Sequence, residues 1–366
     1  MILTAAFLSS CAFAGENGEI DAASDGNREK EGAKTKSILQ NNPYVKEISI
    51  KDIKGVRIGN AEDAANGTGC TVIISESGAP AGVEVRGGGP ASRETELLKT
   101  NSSAEKIHAI LLAGGSAYGL QAATGVMNYL EKKGIGYPVG DGIVPLVVQS
   151  DICDLGCGSS SVRPDAKLAM KACEGAYSNN YRDGCYGAGT GATVGKMKGM
   201  PLCTKTGMGS YAIQVGDIQV GAIVCLNAFG NIYDRDGTCI AGMRSESGVG
   251  FESICDLMIE QHGRVIENRF IGNSAIGVII TNGKFSKYRL GKVASMAHAA
   301  YARAISPAFT SIDGDTIYAL STEEVPADED LVGTLAAEVM QEAIYRAVSS
   351  AESGYGFPAA KDVPKE

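Results

Sequence analysis

Six stretches of the chain are rich in apolar and β-branched residues, and glycine or polar residues bound each of them. Runs of this length and composition are typical of buried β-strands. The predicted strands are GCTVIIS (69–75), AGVEVR (81–86), KIHAILLA (106–113), YAIQVGDIQVGAIVCLN (211–227), AIGVIIT (275–281) and DTIYALS (315–321).

Four longer segments predict helices. One opens with Pro164-Asp165, a favourable helix start. The last has an acidic first turn, and Leu331, Leu335 and Val339 form one apolar stripe along it. Because strands come in groups with long helices between them, the pattern predicts sheets covered by helices on their outer faces. The predicted helices span 116–133, 164–177, 286–305 and 328–350.

Composition supports one large α/β domain over residues 48–366. The chain has 366 residues, 44% hydrophobic and 20% charged, which is ample material for a core. It contains 48 glycines and no tryptophan, so many tight turns and an aliphatic core are expected. The net charge is −9 without a basic cluster, which argues against nucleic-acid binding.

The N-terminus differs from the rest of the chain. Residues 1–14, MILTAAFLSSCAFA, form an apolar run that predicts an export signal. LSSC (8–11) resembles the bacterial lipobox, in which Cys11 would carry a lipid anchor. Residues 15–47 are polar and predict a disordered tether. We therefore expect a periplasmic or membrane-anchored protein; a frayed apolar terminus is the alternative.

Metal and cofactor chemistry find no support in the sequence. His108, His262 and His298 are scattered, without a second ligand at metal-binding spacing. Of ten cysteines, nine remain when Cys11 is set aside. Several of them lie in apolar runs, as Cys225 does, which predicts buried free thiols. We therefore expect no metal and no cofactor.

Two familiar catalytic patterns are also incomplete. GAGTGATVGK (187–196) is similar to a phosphate loop, but Thr190 stands where the first glycine belongs and Met197 follows the lysine. No G-x-S-x-G elbow occurs, and no histidine stands near a suitable serine. The pattern therefore argues against a nucleotide site and against a Ser-His-Asp triad.

Gly272-Asn273-Ser274 is a turn signal that ends in a hydroxyl directly before a predicted buried strand. An N-terminal serine carries its own base, because its α-amine has a pKa near ~8 and is partly uncharged at neutral pH. The chain must then cleave itself, by attack of the Ser274 hydroxyl on the preceding carbonyl. Glycine and asparagine tolerate the turn this requires. A plain turn is the alternative.

Ser274 lies in one of five motifs that occur together in a fixed order. They are LLAGGSAYGLQAATGVMNYLE, GAGTGATVGK, VGAIVCLNAFGNIYD, GNSAIGVIITN and DGDTIYALST. Together they resemble the L-aminopeptidase/D-esterase family, which includes β-peptidyl aminopeptidases and nylon-oligomer hydrolases, over about residues 48–350. The resemblance implies a four-layer αββα sandwich, similar to N-terminal-nucleophile hydrolases but with different strand connectivity. It also implies self-cleavage between Asn273 and Ser274, into subunits ending at 273 and spanning 274–366, and a homo-oligomer of cleaved pairs.

The same resemblance assigns site residues. Ser274 would be the nucleophile and its free amine the base. Asn227 would donate its side-chain amide to the oxyanion, and Lys196 would place a positive charge beside the nucleophile. Asp313 and Asp315 match an acidic pair of the nylon-oligomer branch that orients the amine and the lysine. Taken singly, each of these residues also fits a turn or a solvated loop.

Substrate contacts are expected from Gly114, Gly115, Asp151 and Cys153. Cys153 stands where the family often has an aromatic residue, and Asp151 where some aminopeptidases hold a carboxylate for the substrate amine. An Asp151 that faces the site favours an aminopeptidase of broad or β-amino-acid specificity. Otherwise an endo-type oligoamide hydrolase is favoured. A non-catalytic exported binding protein on the same fold is the third alternative.

Overall fold

The structure is a computed structural model that describes residues 37–40, 42–262 and 272–365. Cys11, the predicted signal and residues 15–36 of the predicted tether lie outside the described residues. The described residues all fall within one unit, Thr35–Glu366. Within them, no helix is long and apolar enough to cross a membrane.

The strands are numbered in chain order. They are β1 (Val45–Ile48), β2 (Arg57–Asp63), β3 (Thr68–Ala79), β4 (Ala81–Val85), β5 (Ala91–Arg93), β6 (Ile107–Ala113), β7 (Tyr137–Val139), β8 (Gly142–Val144), β9 (Val147–Asp151), β10 (Thr193–Val194), β11 (Thr204–Lys205), β12 (Met208–Val215), β13 (Ile218–Asn227), β14 (Asn231–Tyr233), β15 (Cys239–Ala241), β16 (Ser274–Gly283), β17 (Ile305–Ser306) and β18 (Thr316–Val325).

Two large sheets contain most of these strands. Sheet I has the order β1-β12-β13-β16-β18-β4, and sheet II the order β2-β3-β6-β9-β5. All pairs are antiparallel except β16–β18 in sheet I and β6–β9 in sheet II. Every strand predicted from apolar runs is present, and the run 211–227 forms the hairpin β12–β13.

The helices are α1 (Ala123–Lys132), α2 (Ala166–Tyr177), α3 (Ile254–Glu260), α4 (Lys287–Ala297), α5 (Ala299–Ala304) and α6 (Glu329–Ser349). Asp165 and Asp328 cap α2 and α6, and their side chains accept backbone N–H groups of Leu168 and Leu331, each at 2.9 Å. Such caps satisfy amide groups that a helix start leaves unpaired.

Three helix predictions need correction in detail. The segment 116–133 begins as a 3-10 helix, Ser116–Ala122, before α1, and the segment 286–305 breaks at His298 into α4 and α5. The predicted stripe on α6 is shifted, because Leu331 is exposed whereas Val332, Leu335 and Val339 are buried. An apolar stripe read from sequence does not specify where the first turn of a helix leaves the core.

Three buried clusters separate four layers. The central one lies between the sheets, where residues such as Ile223 and Ile276 of sheet I meet Ile73 and Ile110 of sheet II. A second cluster joins sheet I to α4, α5 and α6, and a third joins sheet II to α1 and α2. The fold is therefore the four-layer αββα sandwich expected from the sequence.

Candidate active site

Three neighbouring strands of sheet I end at the same place. Asn227, the last residue of β13, is paired with Ser274, the first residue of β16. Asn273 forms a bridge with Asp313, just before β18. Successive side chains of a strand point to opposite faces. Ser274 and Asn227 thus share the face of Ile276 and Cys225, which line the core between the sheets.

The structure brings together the five residues predicted to carry the chemistry. Lys196 approaches from the loop after β10 and contacts Asn227, while Asp315 contacts the backbone at the start of β16. All five side chains are at most 4% exposed: Lys196, Asn227, Ser274, Asp313 and Asp315. Lys196 and Asn227 bond to each other, whereas the two carboxylates bond to backbone N–H groups and to the Thr310 hydroxyl, so protein partners hold the cluster in one arrangement.

The Ser274 hydroxyl lies against the carbonyl of the preceding residue. Its Oγ donates to the Asn273 carbonyl oxygen at 2.5 Å, and the backbone N–H of Gly314 donates to the same oxygen at 2.7 Å. A Cβ added to Gly314 would lie 2.3 Å from Ser274 Oγ, so this position has room only for glycine.

Asn227 connects the lysine to the strand end. Its Oδ1 accepts the Lys196 ammonium at 2.6 Å and the Thr193 backbone N–H at 3.1 Å. Its Nδ2 donates to the Cys153 carbonyl oxygen at 3.3 Å. Both ends of the Asn227 amide are therefore engaged, and its orientation is set by protein groups on either side.

The acidic pair is held by backbone N–H groups. Asp315 accepts from Ala275 at 2.8 Å and from Phe309 at 3.1 Å. Asp313 accepts from the Thr310 backbone at 2.9 Å and from the Thr310 hydroxyl at 2.5 Å. One carboxylate thus contacts the residue directly after Ser274, and the other fixes the turn that presents Gly314.

Burial shifts the pKa values of the charged groups. It lowers the pKa of the Lys196 ammonium, and the nearby carboxylates of Asp313 and Asp154 partly oppose this effect. It raises the pKa of Asp315, and the charge of Asp313 raises it further. The pKa of Asp313 is also raised by burial. Removal from water disfavours each charged form, and it brings the pKa of Asp315 to about 7.

A pH-dependent stability follows from Asp315. Because its folded pKa is raised, the unfolded chain loses this proton first, so stability falls as pH rises from about 4 toward neutrality. In a Ser274→Ala background, Asp315→Asn should flatten this fall while lowering stability at low pH, because one backbone N–H loses its acceptor. Calorimetric melting temperatures at successive pH values test this. Parallel curves for the two proteins would contradict it.

Gly272 and Cys153 are in tight contact. A Cβ added to Gly272 would lie 2.2 Å from Cys153 Cβ and 2.6 Å from its Sγ. Cys153 also contributes its carbonyl to Asn227, as described above. The predicted substrate-site position of Cys153 is therefore next to the Gly272-Asn273-Ser274 segment and beside Asn227.

Asp151 occupies a different place. Its Oδ1 accepts from Gln149 at 2.7 Å, and Gln149 in turn donates to the Gly119 carbonyl oxygen in the 3-10 helix before α1. Along β9, Val148 and Ser150 face sheet I, so Gln149 and Asp151 face the helices. The structure does not bring Asp151 together with Ser274. Its amine-binding role stays a prediction, without support from this placement.

Asp154 is a buried acid that the sequence reasoning missed. Its two carboxylate oxygens accept the Thr68 hydroxyl and the Gly115 backbone N–H, each at 2.7 Å. A Cβ on Gly114 would lie 1.9 Å from Asp154 Oδ2, so the Gly114-Gly115 turn can approach this carboxylate only because residue 114 has no side chain. Burial raises the pKa of Asp154, and the positive charge of Lys196 partly opposes this rise. The only signal in the sequence was a second aspartate three residues after Asp151.

No cluster of three or more metal-ligating side chains occurs among residues 37–40, 42–262 and 272–365. The nine cysteines of these ranges are unbridged, and five of them are buried: Cys70, Cys157, Cys173, Cys203 and Cys225. The side chains that the structure brings together around Ser274 are thus a hydroxyl, an amide, an ammonium and two carboxyl groups.

By architecture, the protein belongs to the class of four-layer αββα sandwiches, with a buried hydroxyl, lysine and amide at one strand end. Within that class, the model of peptidase family S58 matches residues 49–361. The chain belongs to peptidase family S58 and is a hydrolase of an aminopeptidase-like family.

Curated relatives are similar over most of their length. An uncharacterized aminopeptidase of Mycobacterium leprae is 34% identical over 352 residues, covering 85% of this chain and 92% of the relative. A 6-aminohexanoate-oligomer endohydrolase of Agromyces sp. is 32% identical over 310 residues, covering 81% and 84%. Both branches anticipated from the motifs, aminopeptidases and nylon-oligomer hydrolases, are thus represented.

Solved structures share the fold. A Burkholderia sp. beta-aminopeptidase superposes with a TM-score of 0.59 at 19% identity, covering 83% of this chain and 86% of that chain. The L-aminopeptidase D-Ala-esterase/amidase of Ochrobactrum anthropi, described as a variant of the Ntn-hydrolase fold, gives 0.60 at 20% identity, with coverage of 83% and 86%. The expected Ntn-hydrolase-like architecture is confirmed.

Proposed function

We propose that this protein is a self-processing amide hydrolase in which Ser274, once it is N-terminal, is the nucleophile. The observation that carries the proposal is the 2.5 Å contact between Ser274 Oγ and the Asn273 carbonyl oxygen. A hydroxyl at this distance, at the end of a rigid strand, is already next to the carbonyl it must attack.

After cleavage, the Ser274 α-amine would serve as the base. Ser274 Oγ attacks the substrate carbonyl carbon, and its proton passes to the amine. The oxyanion that forms is stabilised by the Asn227 amide, and the leaving amine takes the proton. Water then attacks the ester on Ser274 and releases the acyl product. Each step uses groups of this chain, and no cofactor is proposed.

Lys196 and the carboxylates would tune this base. The buried ammonium lies 2.6 Å from Asn227 Oδ1 and therefore close to the site of negative charge. A nearby positive charge lowers the pKa of an amine, which increases its uncharged fraction. Asp315, bound to the N–H of Ala275, would accept from or orient the new amine of Ser274, one residue away.

Self-processing can be tested directly on the purified protein. A denaturing gel should show two bands, and the smaller should sequence as Ser-Ala-Ile-Gly from Ser274. A single uncleaved chain with full amidase activity would contradict an N-terminal nucleophile.

For the substrate, we propose peptides or amides with a free N-terminus, with broad or β-amino-acid specificity. The support is the similarity to relatives named as aminopeptidases, the first of which is matched over 92% of its length. A hydrolase of endo type is the second candidate. The placement of Asp151 on the helix side of sheet II favours it, as does the similarity to the 6-aminohexanoate-oligomer endohydrolases.

A free-amine p-nitroanilide and its N-acetylated form distinguish the two candidates. An aminopeptidase should hydrolyse the free-amine substrate at least about tenfold faster, because one lost charge-assisted hydrogen bond costs about 1.5–3 kcal/mol. Equal kcat/KM values on both would favour the endo-type enzyme.

Three further predictions concern the setting of the enzyme. We propose export, a lipid anchor at Cys11, and assembly of cleaved pairs into a homo-oligomer. These proposals rest on the N-terminal sequence and the motif resemblance. Membrane fractionation of the wild type and of Cys11→Ala, and light scattering of the purified protein, would test them.

A further inference from the structure

We propose that the backbone N–H of Gly314 is the oxyanion donor for self-cleavage, whereas the Asn227 side chain is the donor for substrate hydrolysis. The inference rests on the proposed self-processing and deepens it. It assigns the two reactions of one serine to two different oxyanion donors.

The scissile carbonyl already contacts Gly314. The bridge between Asn273 and Asp313 places the next residue, Gly314, so that its N–H donates to the Asn273 carbonyl oxygen at 2.7 Å. Asp313 is itself fixed by Thr310, whose backbone and hydroxyl both donate to it. This donor is therefore preorganised by the turn and not by a mobile side chain.

The self-cleavage reaction requires a hydrogen-bond donor to the Asn273 carbonyl oxygen that keeps its hydrogen when Ser274 Oγ attacks. A bond forms between Ser274 Oγ and the Asn273 carbonyl carbon, and the carbonyl π electrons move to its oxygen. The C–N bond then breaks, and the Oγ proton ends on the Ser274 nitrogen. Water cleaves the resulting ester and leaves the Asn273 carboxylate. Because the Ser274 hydroxyl loses its proton in the first step, it ceases to be a donor, and the Gly314 N–H remains.

Asn227 is directed elsewhere in the uncleaved chain. Its Nδ2 donates to the Cys153 carbonyl at 3.3 Å, while its Oδ1 holds Lys196 and Thr193. One of its two amide hydrogens is thus directed at the Cys153 carbonyl oxygen. A substrate carbonyl that binds beside Asn227 could accept its other amide hydrogen, whereas the Asn273 carbonyl oxygen accepts from Gly314 and Ser274.

The absence of a side chain at 314 fits this role. A Cβ would lie 2.3 Å from Ser274 Oγ and 3.0 Å from the Gly89 carbonyl oxygen. The Gly314 backbone can therefore approach both the nucleophile and the scissile carbonyl only as glycine. A donor from a larger residue would push Oγ away from the carbon it attacks.

The experiment replaces the Gly314 amide by an ester, by incorporating glycolic acid at this position during cell-free translation of the full chain. Pulse labelling and gels follow the conversion of precursor into two subunits. Cleavage should slow about 100- to 1,000-fold, the usual effect of removing one oxyanion donor. The matched control is the same ester at Gly88, whose N–H donates to the Thr310 carbonyl at 3.1 Å, and it should process within a few-fold of wild type.

Asn227→Ala supplies the reciprocal measurement. Processing should slow no more than about tenfold, while turnover of an amide substrate falls about 100- to 1,000-fold. The inference is overturned if the Gly314 ester processes at the wild-type rate, or if Asn227→Ala slows processing as much as it slows turnover. The Asn227 result decides the question even if the ester variant misfolds. By contrast, a wild type that never cleaves, or a Ser274→Ala variant that does, would refute the proposed function itself.

Discussion

Ser274→Ala should remain uncleaved at the Asn273–Ser274 bond and should lose amide hydrolysis by a factor of about 10⁴ or more. Removing one hydroxyl eliminates both proposed reactions, since the same Oγ attacks the Asn273 carbonyl and later the substrate. Loss of a catalytic serine elsewhere has effects of this size or larger. A denaturing gel and a p-nitroanilide assay on the purified variant measure both losses.

A second buried strand serine provides the control. Ser210 lies on β12 of the same sheet and donates to Asp183 at 2.8 Å, remote in register from the strand ends that form the site. Ser210→Ala should cleave normally and keep most of its activity. A Ser274→Ala protein that cleaves itself or retains turnover would disprove the assigned nucleophile, provided that both variants melt as folded proteins.

Asn227→Ala should reduce kcat for amide hydrolysis about 100- to 1,000-fold with a smaller change in KM. The lost amide is the proposed donor to the oxyanion, and such a donor acts mainly in the transition state. The change also removes the acceptor of the Lys196 ammonium and of the Thr193 N–H. Buried donors without partners cost about 1–3 kcal/mol each, so the melting temperature should fall as well.

The matched control for Asn227 is Asn231, another fully buried asparagine, on β14, which follows β13 along the chain but belongs to a separate three-stranded sheet. Its Oδ1 accepts from Met243 at 2.8 Å, and its Nδ2 donates to the Glu252 carbonyl at 2.7 Å. Asn231→Ala should lose comparable stability but little turnover. If kcat falls equally in both variants, the loss reflects general destabilisation and Asn227 has no special part in turnover.

Much of the site could be anticipated because its parts have local signals. The apolar run 275–281 predicted the strand that extends over Ser274–Gly283, and a Pro-Asp start predicted α2 to within two residues. The glycine loop and the Asp-Gly-Asp turn marked where Lys196, Asp313 and Asp315 stand. The strand and the helix start depend on residues near in sequence, so periodicity and turn chemistry predict them. The site roles of Lys196, Asp313 and Asp315 came only from the motif resemblance.

Contacts between distant segments could not be anticipated in the same way. Gly314 meets the Asn273 carbonyl because β16 and β18 are parallel neighbours, and no local pattern encodes the register of a parallel pair. When a strand is buried on both faces, its sequence also does not show which face each side chain occupies. The sequence could not place Asp151 on the helix side of β9 or Asp154 beside the Gly114-Gly115 turn.

The sequence by itself thus determined the strand that mounts Ser274, the glycine and asparagine before it, and the residue types available for catalysis. Only the tertiary structure decided which of these groups meet. It placed the Lys196 ammonium in hydrogen-bond contact with Asn227. It also brought the Asp315 carboxylate to the Ala275 N–H and the Gly314 N–H to the carbonyl oxygen of Asn273. The physical reason is that sheet register and the packing of one sheet on another are collective, long-range properties, whereas a strand or a turn is local.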